Sequence, residues 1–267
     1  MSARCQGPQW TLAARGETLR SGDVTPPDDP RRVGSGWTSP WNTGHARCRA
    51  DTDPPAHQLR VRRGCPWCAI GLASLEQALE RTRGEVEAEI HFQPFELNPQ
   101  LGAEGEDAAE HLQKKYGMPA AQLAANQEAI RQRGAALGFT FDMQRRRRIH
   151  NTFDAHRLLH WAALEGRQRE LKHALLRAYF TEGRDVSDHD TLAAIAGDAG
   201  LSAERAREIL ASDDYADDVR TVEQFFQHQG INAVPAVIIE RRHLISGGQP
   251  VEVFEQALRQ VAAAKPG

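Results

Sequence analysis

The sequence predicts an α/β domain interrupted by an α-helical insertion. Three observations carry this prediction. A helical repeat opens on Cys65-x-x-Cys68 and leads into one alternating strand, a series of helical patterns follows from about residue 107 to 229, and an apolar β-branched run with a turn pair and a last helix closes the chain. The composition agrees: 33 Lys+Arg against 36 Asp+Glu give a net charge of −3, and 40% of the 267 residues are hydrophobic. Nucleic-acid binding over a whole basic surface is therefore not expected. Neither is membrane insertion, because the apolar runs fall far short of the roughly 18 to 20 residues a bilayer requires.

Residues 1–57 hold 7 of the 14 prolines, Leu12, Leu19, Val24 and Val33 as the sole aliphatic residues, and no phenylalanine. Such a stretch cannot build a core and is expected to be a disordered or misassigned N-terminal extension. Trp10, Trp37 and Trp41 lie in it, an unusual content for a solvated tail, which motivates the reading of a wrong start or a frame error upstream of Cys65. The first 20 residues lack the apolar run of a secretory signal, and four cysteines in this length make no disulfide scaffold. A reducing, cytoplasmic location is expected.

From Cys65 onward, Ile70, Leu72, Ala73, Leu75, Ala78 and Leu79 recur at helical spacing, and Gly84 ends that helix. Residues 86–92 alternate apolar and polar, the period of a half-buried strand, and 94–99 reads as a loop. Helical patterns then cover 107–116 and 120–137, a segment from near Asn151 to near Gly166, and 170–181, 191–199, 203–210 and 217–229. Val234-Pro235-Ala236-Val237-Ile238-Ile239, residues 242–246 and the Gly247-Gly248 turn read as a hairpin. Pro250 then opens a final helix with Val253, Phe254, Ala257, Leu258 and Val261 on its core face. The domain thus divides into a first part at 58–104, the helical insertion at 105–229 and a C-terminal part at 230–267.

Cys65-Pro66-Trp67-Cys68 carries the chemistry. It puts one thiol at a helix N-terminus and the second three residues on, within disulfide reach. Unpaired N–H groups and the positive helix end favour a thiolate at Cys65, so a lowered thiol pKa is expected there. Cys65 is then the attacking sulfur, and the deeper Cys68 resolves a mixed disulfide. Pro66 suits the first turn because its missing N–H is not needed. Two readings compete: half of a zinc site, completed on paper by Cys48 with His57 or His91, and a pair of inert buried thiols. Zinc in a closed structural site takes four ligands, and no second C-x-x-C exists, so no metal is expected. Pro235, at the entry of a strand, reads by itself as an edge feature. Arg145 to Arg148 reads as a solvated loop.

These residues together resemble the DsbA-like branch of the thioredoxin superfamily, most closely its cytoplasmic FrnE-like group. The resemblance runs from Cys65 to about Val261. It rests on Cys65-Pro66-Trp67-Cys68-Ala69-Ile70-Gly71, Pro94-Phe95-Glu96-Leu97-Asn98-Pro99, Asn151-Thr152-Phe153-Asp154-Ala155-His156-Arg157, Ala178-Tyr179-Phe180, and Val234-Pro235-Ala236 with Ser246-Gly247-Gly248-Gln249-Pro250. It implies a thioredoxin-like fold with an α-helical insertion and a dithiol/disulfide site formed by Cys65 and Cys68. Pro66 and Trp67 would modulate that site, and a cis Val234–Pro235 bond beside Cys65 would help hold an extended substrate. Phe95, Asn98, Pro99, Asn151 and His156 are the candidates for a substrate groove. The chain departs from the family before the cysteines, where a hydrophobic strand is expected. Here Leu59 and Val61 alone represent it, so that strand reads as degraded or missing.

The function expected is thiol-disulfide exchange without a bound cofactor, with protein or small-molecule thiols and disulfides, glutathione among them, as partners. The motif leaves the direction of exchange and the oligomeric state open. A glutathione-dependent isomerase or transferase of the hydroxychromene-carboxylate isomerase or kappa type is the enzyme alternative. Those relatives carry serine where this chain has Cys65. A non-catalytic binding protein on the same scaffold is the third reading.

Overall fold

The computed structural model describes residues 57–61 as main chain, and residues 65–102 and 104–264 in full. All of them fall in one unit, Ala50–Gly267. The expectations for residues 1–56, including the wrong-start reading and Cys5 and Cys48, lie outside the described residues.

The strand expected to be missing is formed. β1 (His57–Val61) runs parallel to β2 (Ala88–Phe92), with Leu59 opposite Ile90. On its other side β1 pairs antiparallel with β5 (Ala236–Ile239), with Leu59 opposite Ile239. With β6 (His243–Ser246) the sheet order is β2-β1-β5-β6. This corrects the reading from composition. Main-chain pairing along both edges holds a short segment extended whatever its intrinsic preference, because strand propensity is largely a property of context.

α1 (Pro66–Arg81) connects the parallel pair β1 and β2, the crossover such a pair requires. Its Ile70, Leu72 and Leu75 are fully or almost fully buried. β2 begins two residues later than the alternation suggests, because the Val86 N–H is used to close the helix exit on the Thr82 carbonyl at 3.0 Å. The outer edge of β2 is covered rather than exposed. The Gln168 side chain accepts from the Phe92 N–H and donates to the Phe92 carbonyl, each at 2.9 Å.

The insertion begins with a two-residue strand, β3 (Glu106–Asp107), paired to β4 (Arg148–Ile149), neither of which the periodicity suggested. Asp107 caps α2 (Ala108–Tyr116) by accepting from the N–H groups of Ala109 and Glu110, and Gly117 ends it in the left-handed region at φ 63°. α3 (Ala120–Ala136), α4 (Phe153–Leu164) and α5 (Gln168–Arg177) follow, and α5 widens into a π-helical turn at Ala178–Glu182. α6 (His189–Asp198), α7 (Ala203–Ala211) and α8 (Ala216–His228) complete the insertion. After the β5–β6 hairpin, α9 (Val251–Ala263) packs on α1, with Pro250 as its cap residue rather than its first helical one.

One buried cluster joins both parts. Ile70, Leu72 and Leu75 of α1 share it with Leu158, Leu171, Leu175 and Phe180 of the insertion, with Ile239, and with Phe254 of α9. A polar tie reinforces the contact. Glu76 of α1 accepts from Arg169 at 2.7 Å and pairs with His173 at 2.9 Å, both on α5. Burial works to raise the Glu76 carboxyl, but His173 and Arg169 outweigh it and hold the group below its ordinary value of 4.5. A depressed folded-state value stabilises at pH above the unfolded value and is lost as pH falls through the folded one. Glu76→Gln is therefore expected to cost roughly 1 kcal/mol at neutral pH. The gap to the parent should close in acid below 4.5, as followed by urea unfolding across pH.

Candidate active site

Cys65 is the cap residue of α1, with extended backbone at φ −110° and ψ 141° and Pro66 at the first helical position. The first free N–H groups of the helix, those of Trp67 and Cys68, favour a thiolate at Cys65, although its side chain makes no capping hydrogen bond. Cys65 is half-buried, Cys68 is wholly buried one turn on, and both stand as thiols. The Cys68 N–H also closes the first turn on the Cys65 carbonyl at 2.8 Å. Trp67 projects outward with 40% of its surface exposed.

The Val234–Pro235 peptide bond is cis, and Pro235 is buried against the same end of α1. Two glycines lie at this approach, and Gly248 is the one it requires. A Cβ on Gly71 would stand 3.4 Å from the Pro235 ring and 3.6 Å from Gly248 Cα. A Cβ on Gly248 would stand 3.0 Å from the Trp67 carbonyl oxygen and 3.1 Å from its indole, tighter than side chains tolerate without displacement. The Gly247 N–H donates to the Pro235 carbonyl at 2.8 Å, tying the turn after β6 to the proline loop. The proline loop and the glycine turn therefore seat on the helix turn that carries the cysteines.

The electrostatics at Cys65 correct one expectation. Burial pushes its thiol above the ordinary value; the Trp67 N–H, the charge of Arg146 and the Cys68 N–H pull it down without overcoming burial. The helix terminus acts in the predicted direction, but desolvation by the packing around the sulfur is the larger effect. Two residues that motif reasoning assigned no part in the site act here. Arg146, read as part of a solvated run, lies near enough for its charge to favour the thiolate. Tyr116, at the end of α2, is raised by its own burial and then by charge on Cys65, so the two ionisations oppose one another. Neither had a sequence signal, since only the folded chain brings α2 and the 142–149 loop to α1.

The proposed groove residues separate into two groups. Phe95 is buried, and so is His156, at 2% exposure, with Nε2 placed 3.2 Å from the Phe95 carbonyl. Both side chains lie in the interior: His156 falls on the core-facing side of α4 and meets the 94–99 loop at the Phe95 carbonyl. Asn98 and Asn151 are half-buried and Pro99 is exposed. Asn98 accepts from Lys115 at 2.6 Å, next to Tyr116. Asn151 accepts from the Phe153 N–H at 2.8 Å, bracing the entry to α4, and donates to the Leu101 carbonyl at 3.3 Å. Beside it, burial raises the Glu96 carboxyl, opposed by Arg220 and a hydrogen bond with Asn151. Among the described residues, no group of three or more His, Cys, Asp or Glu side chains is arranged to hold a metal ion. No described helix is long and apolar enough to cross a membrane.

The DSBA-like thioredoxin domain matches residues 64–259. The chain belongs to this family. It resembles a probable DsbA oxidoreductase of Streptomyces coelicolor at 34% identity, with a TM-score of 0.72 over 79% of this chain and 92% of that one. The uncharacterized protein YwbO of Bacillus subtilis (strain 168) is 26% identical over 195 residues, 73% of this chain and 90% of that protein. The cytosolic disulfide reductase DsbM of Pseudomonas aeruginosa, in its structure with GSH, shares the fold. That likeness has a TM-score of 0.52 at 16% identity, over 77% of this chain and 99% of that one. The thioredoxin fold of this DsbA-like chain thus carries its C-x-x-C at the start of the first helix, facing the proline loop.

Proposed function

We propose that the chain is a thiol-disulfide oxidoreductase in which Cys65 is the nucleophile and Cys68 the resolving thiol. The observation that carries this reading is the asymmetry of the pair. Cys65 is partly exposed at the helix start, while Cys68 is wholly buried one turn behind it. In the reducing direction the Cys65 thiolate attacks one sulfur of a substrate disulfide. An S–S bond forms to Cys65, and the first substrate thiolate departs and takes up a proton. The Cys68 thiolate then attacks the Cys65 sulfur, releasing the second substrate thiol and leaving the Cys65–Cys68 disulfide. Two electrons and two protons pass to the substrate, and an external thiol restores the dithiol.

Pro66 and Trp67 shape the approach to Cys65, and Val234 with the cis Pro235 offers main chain to an extended substrate. Asn98, Pro99 and Asn151 border the groove. The reading needs no bound cofactor. Glutathione or a protein thiol is the proposed partner, consistent with the likeness to DsbM with GSH, and the proposed setting is the cytoplasm.

Trapping tests the assignment. Cys68→Ala incubated with a disulfide substrate is expected to accumulate a mixed disulfide on Cys65, detected by intact mass and peptide mapping. Equal adduct formation on Cys65→Ala would sink the assignment.

A further inference from the structure

Of the arginine run, Arg145, Arg147 and Arg148 are exposed and Arg146 is half-buried. The run lines a cavity of about 240 Å³ together with His150, Tyr179, Gly183 and Asp185. The π-helical turn holds it there. The Asp142 N–H donates to the Phe180 carbonyl at 2.9 Å, Thr181 donates to the Thr140 carbonyl at 2.6 Å, and the Tyr179 hydroxyl donates to the Arg148 carbonyl at 3.2 Å. Gly183, at φ 70°, is required at this contact because a Cβ there would fall 2.5 Å from the Arg145 carbonyl oxygen.

Within this frame Arg146 is fixed in advance. Its guanidinium lies over the rings of Tyr179 and Phe180, 4.8 and 5.3 Å from their centroids, and donates to the Tyr179 hydroxyl at 3.1 Å. Its buried Nε has no hydrogen-bond partner among the described residues. Arg145 is paired with Asp142 at 3.2 Å. Arg147 donates to the Gln144 carbonyl and Arg148 to the carbonyls of Glu104 and Gly105, so neither charge meets a carboxylate among the described residues. The acid in the cavity, Asp185, is engaged by His150 at 2.9 Å and by Ser187 at 2.6 Å. The pocket therefore presents the preorganised charge of Arg146 beside Arg147 and Arg148, which meet no carboxylate among the described residues, and Arg146 is the residue whose charge reaches Cys65.

We propose that this arginine pocket binds a carboxylate of the thiol or disulfide whose sulfur engages Cys65, which makes acidic thiols the preferred substrates. The inference rests on the exchange function above and adds its substrate class. Arginine suits the task because its planar fork meets a carboxylate with two parallel hydrogen bonds. A low-molecular-weight acidic thiol and an acidic residue beside a cysteine in a peptide supply the same group.

The test compares substrate pairs that differ in carboxylates alone. One pair is oxidised glutathione and its carboxyl ethyl ester; the other is a disulfide peptide with Glu next to Cys and its Gln counterpart. The parent should exchange with the acidic member about tenfold or more faster in kcat/KM, the size of one charge-assisted contact, and the preference should shrink in high salt. The double variant Arg146→Gln, Arg147→Gln should bring the ratio towards one. Any change in the Cys65 thiol affects both members of a pair alike, so the ratio isolates recognition. The pair that shows the preference identifies the source of the carboxylate. Equal kcat/KM within both pairs would overturn the proposal. A separate readout guards against loss of exchange itself: calorimetry of S-methylglutathione and its ester on Cys65→Ser. Selective binding of the acid without any exchange in the parent would retain the pocket and reject the exchange function; neither binding nor exchange would reject both.

Discussion

Replacing Arg157 with alanine is expected to lower the unfolding free energy by about 3 to 5 kcal/mol, the largest stability effect of any single change outside the apolar core. Its side chain is 5% exposed and holds the turn between α7 and α8 from within α4. Nε donates to the Asp214 carbonyl at 2.9 Å, Nη1 pairs with Asp154 at 2.8 Å, and Nη2 donates to the carbonyls of Ile209 and Ser212. Alanine strands these acceptors in the interior, where each carries its full desolvation cost, and opens a void of guanidinium size. Arg205 is the natural control. It pairs with Glu208 and Asp214 at 2.9 Å but is 42% exposed, and Arg205→Ala is expected to change stability little. Urea unfolding under reducing conditions checks both. A loss at Arg157 no greater than that at Arg205 would show that the buried contacts are not what hold the turn.

Cys65→Ser is expected to reduce disulfide exchange on the order of a thousandfold or more, because the oxygen nucleophile cannot form the S–S bond on which every later step depends. Cys68→Ala is expected to behave differently. It retains the first attack, builds the mixed disulfide and turns over slowly by relying on external thiol. Stopped-flow exchange with a chromogenic disulfide separates the two. Matching losses in both variants, with no adduct in either, would argue against a nucleophile and a resolving thiol in separate roles. Because burial holds the Cys65 thiol above its ordinary value, the parent rate should also keep climbing with pH beyond the range of a free cysteine.

Local patterns revealed α1 and α9 well, because each buries one apolar stripe. Ile70, Leu72 and Leu75 recur at helical spacing and all three reach the core. The cysteine motif and the proline at the β5 entry were legible for a similar reason, since helix-start and strand-entry chemistry depend on adjacent residues. What stayed hidden depends on neighbours far away in the chain. β1 takes its extended form from pairing with β2 and β5, which its own Leu59 and Val61 do not announce. His156 carries a polar ring on an apolar helix face, and only the Phe95 carbonyl opposite it explains the burial. Arg146 looks like its three neighbours in sequence; the π-helical turn at Ala178–Glu182 singles it out by placing Tyr179 and Phe180 beneath it. The helix end that favours a thiolate at Cys65 is visible in sequence, and the desolvation that opposes it is not.

Whether Cys65 and Cys68 form a reversible dithiol/disulfide couple is decided by equilibrating the protein in graded glutathione redox buffers. Thiols are trapped by alkylation and the Cys65–Cys68 disulfide is read by peptide mass spectrometry, with Cys65→Ser as the control. A two-electron transition that is absent from the control is the expected result. Cysteines that stay reduced across the whole series would contradict it.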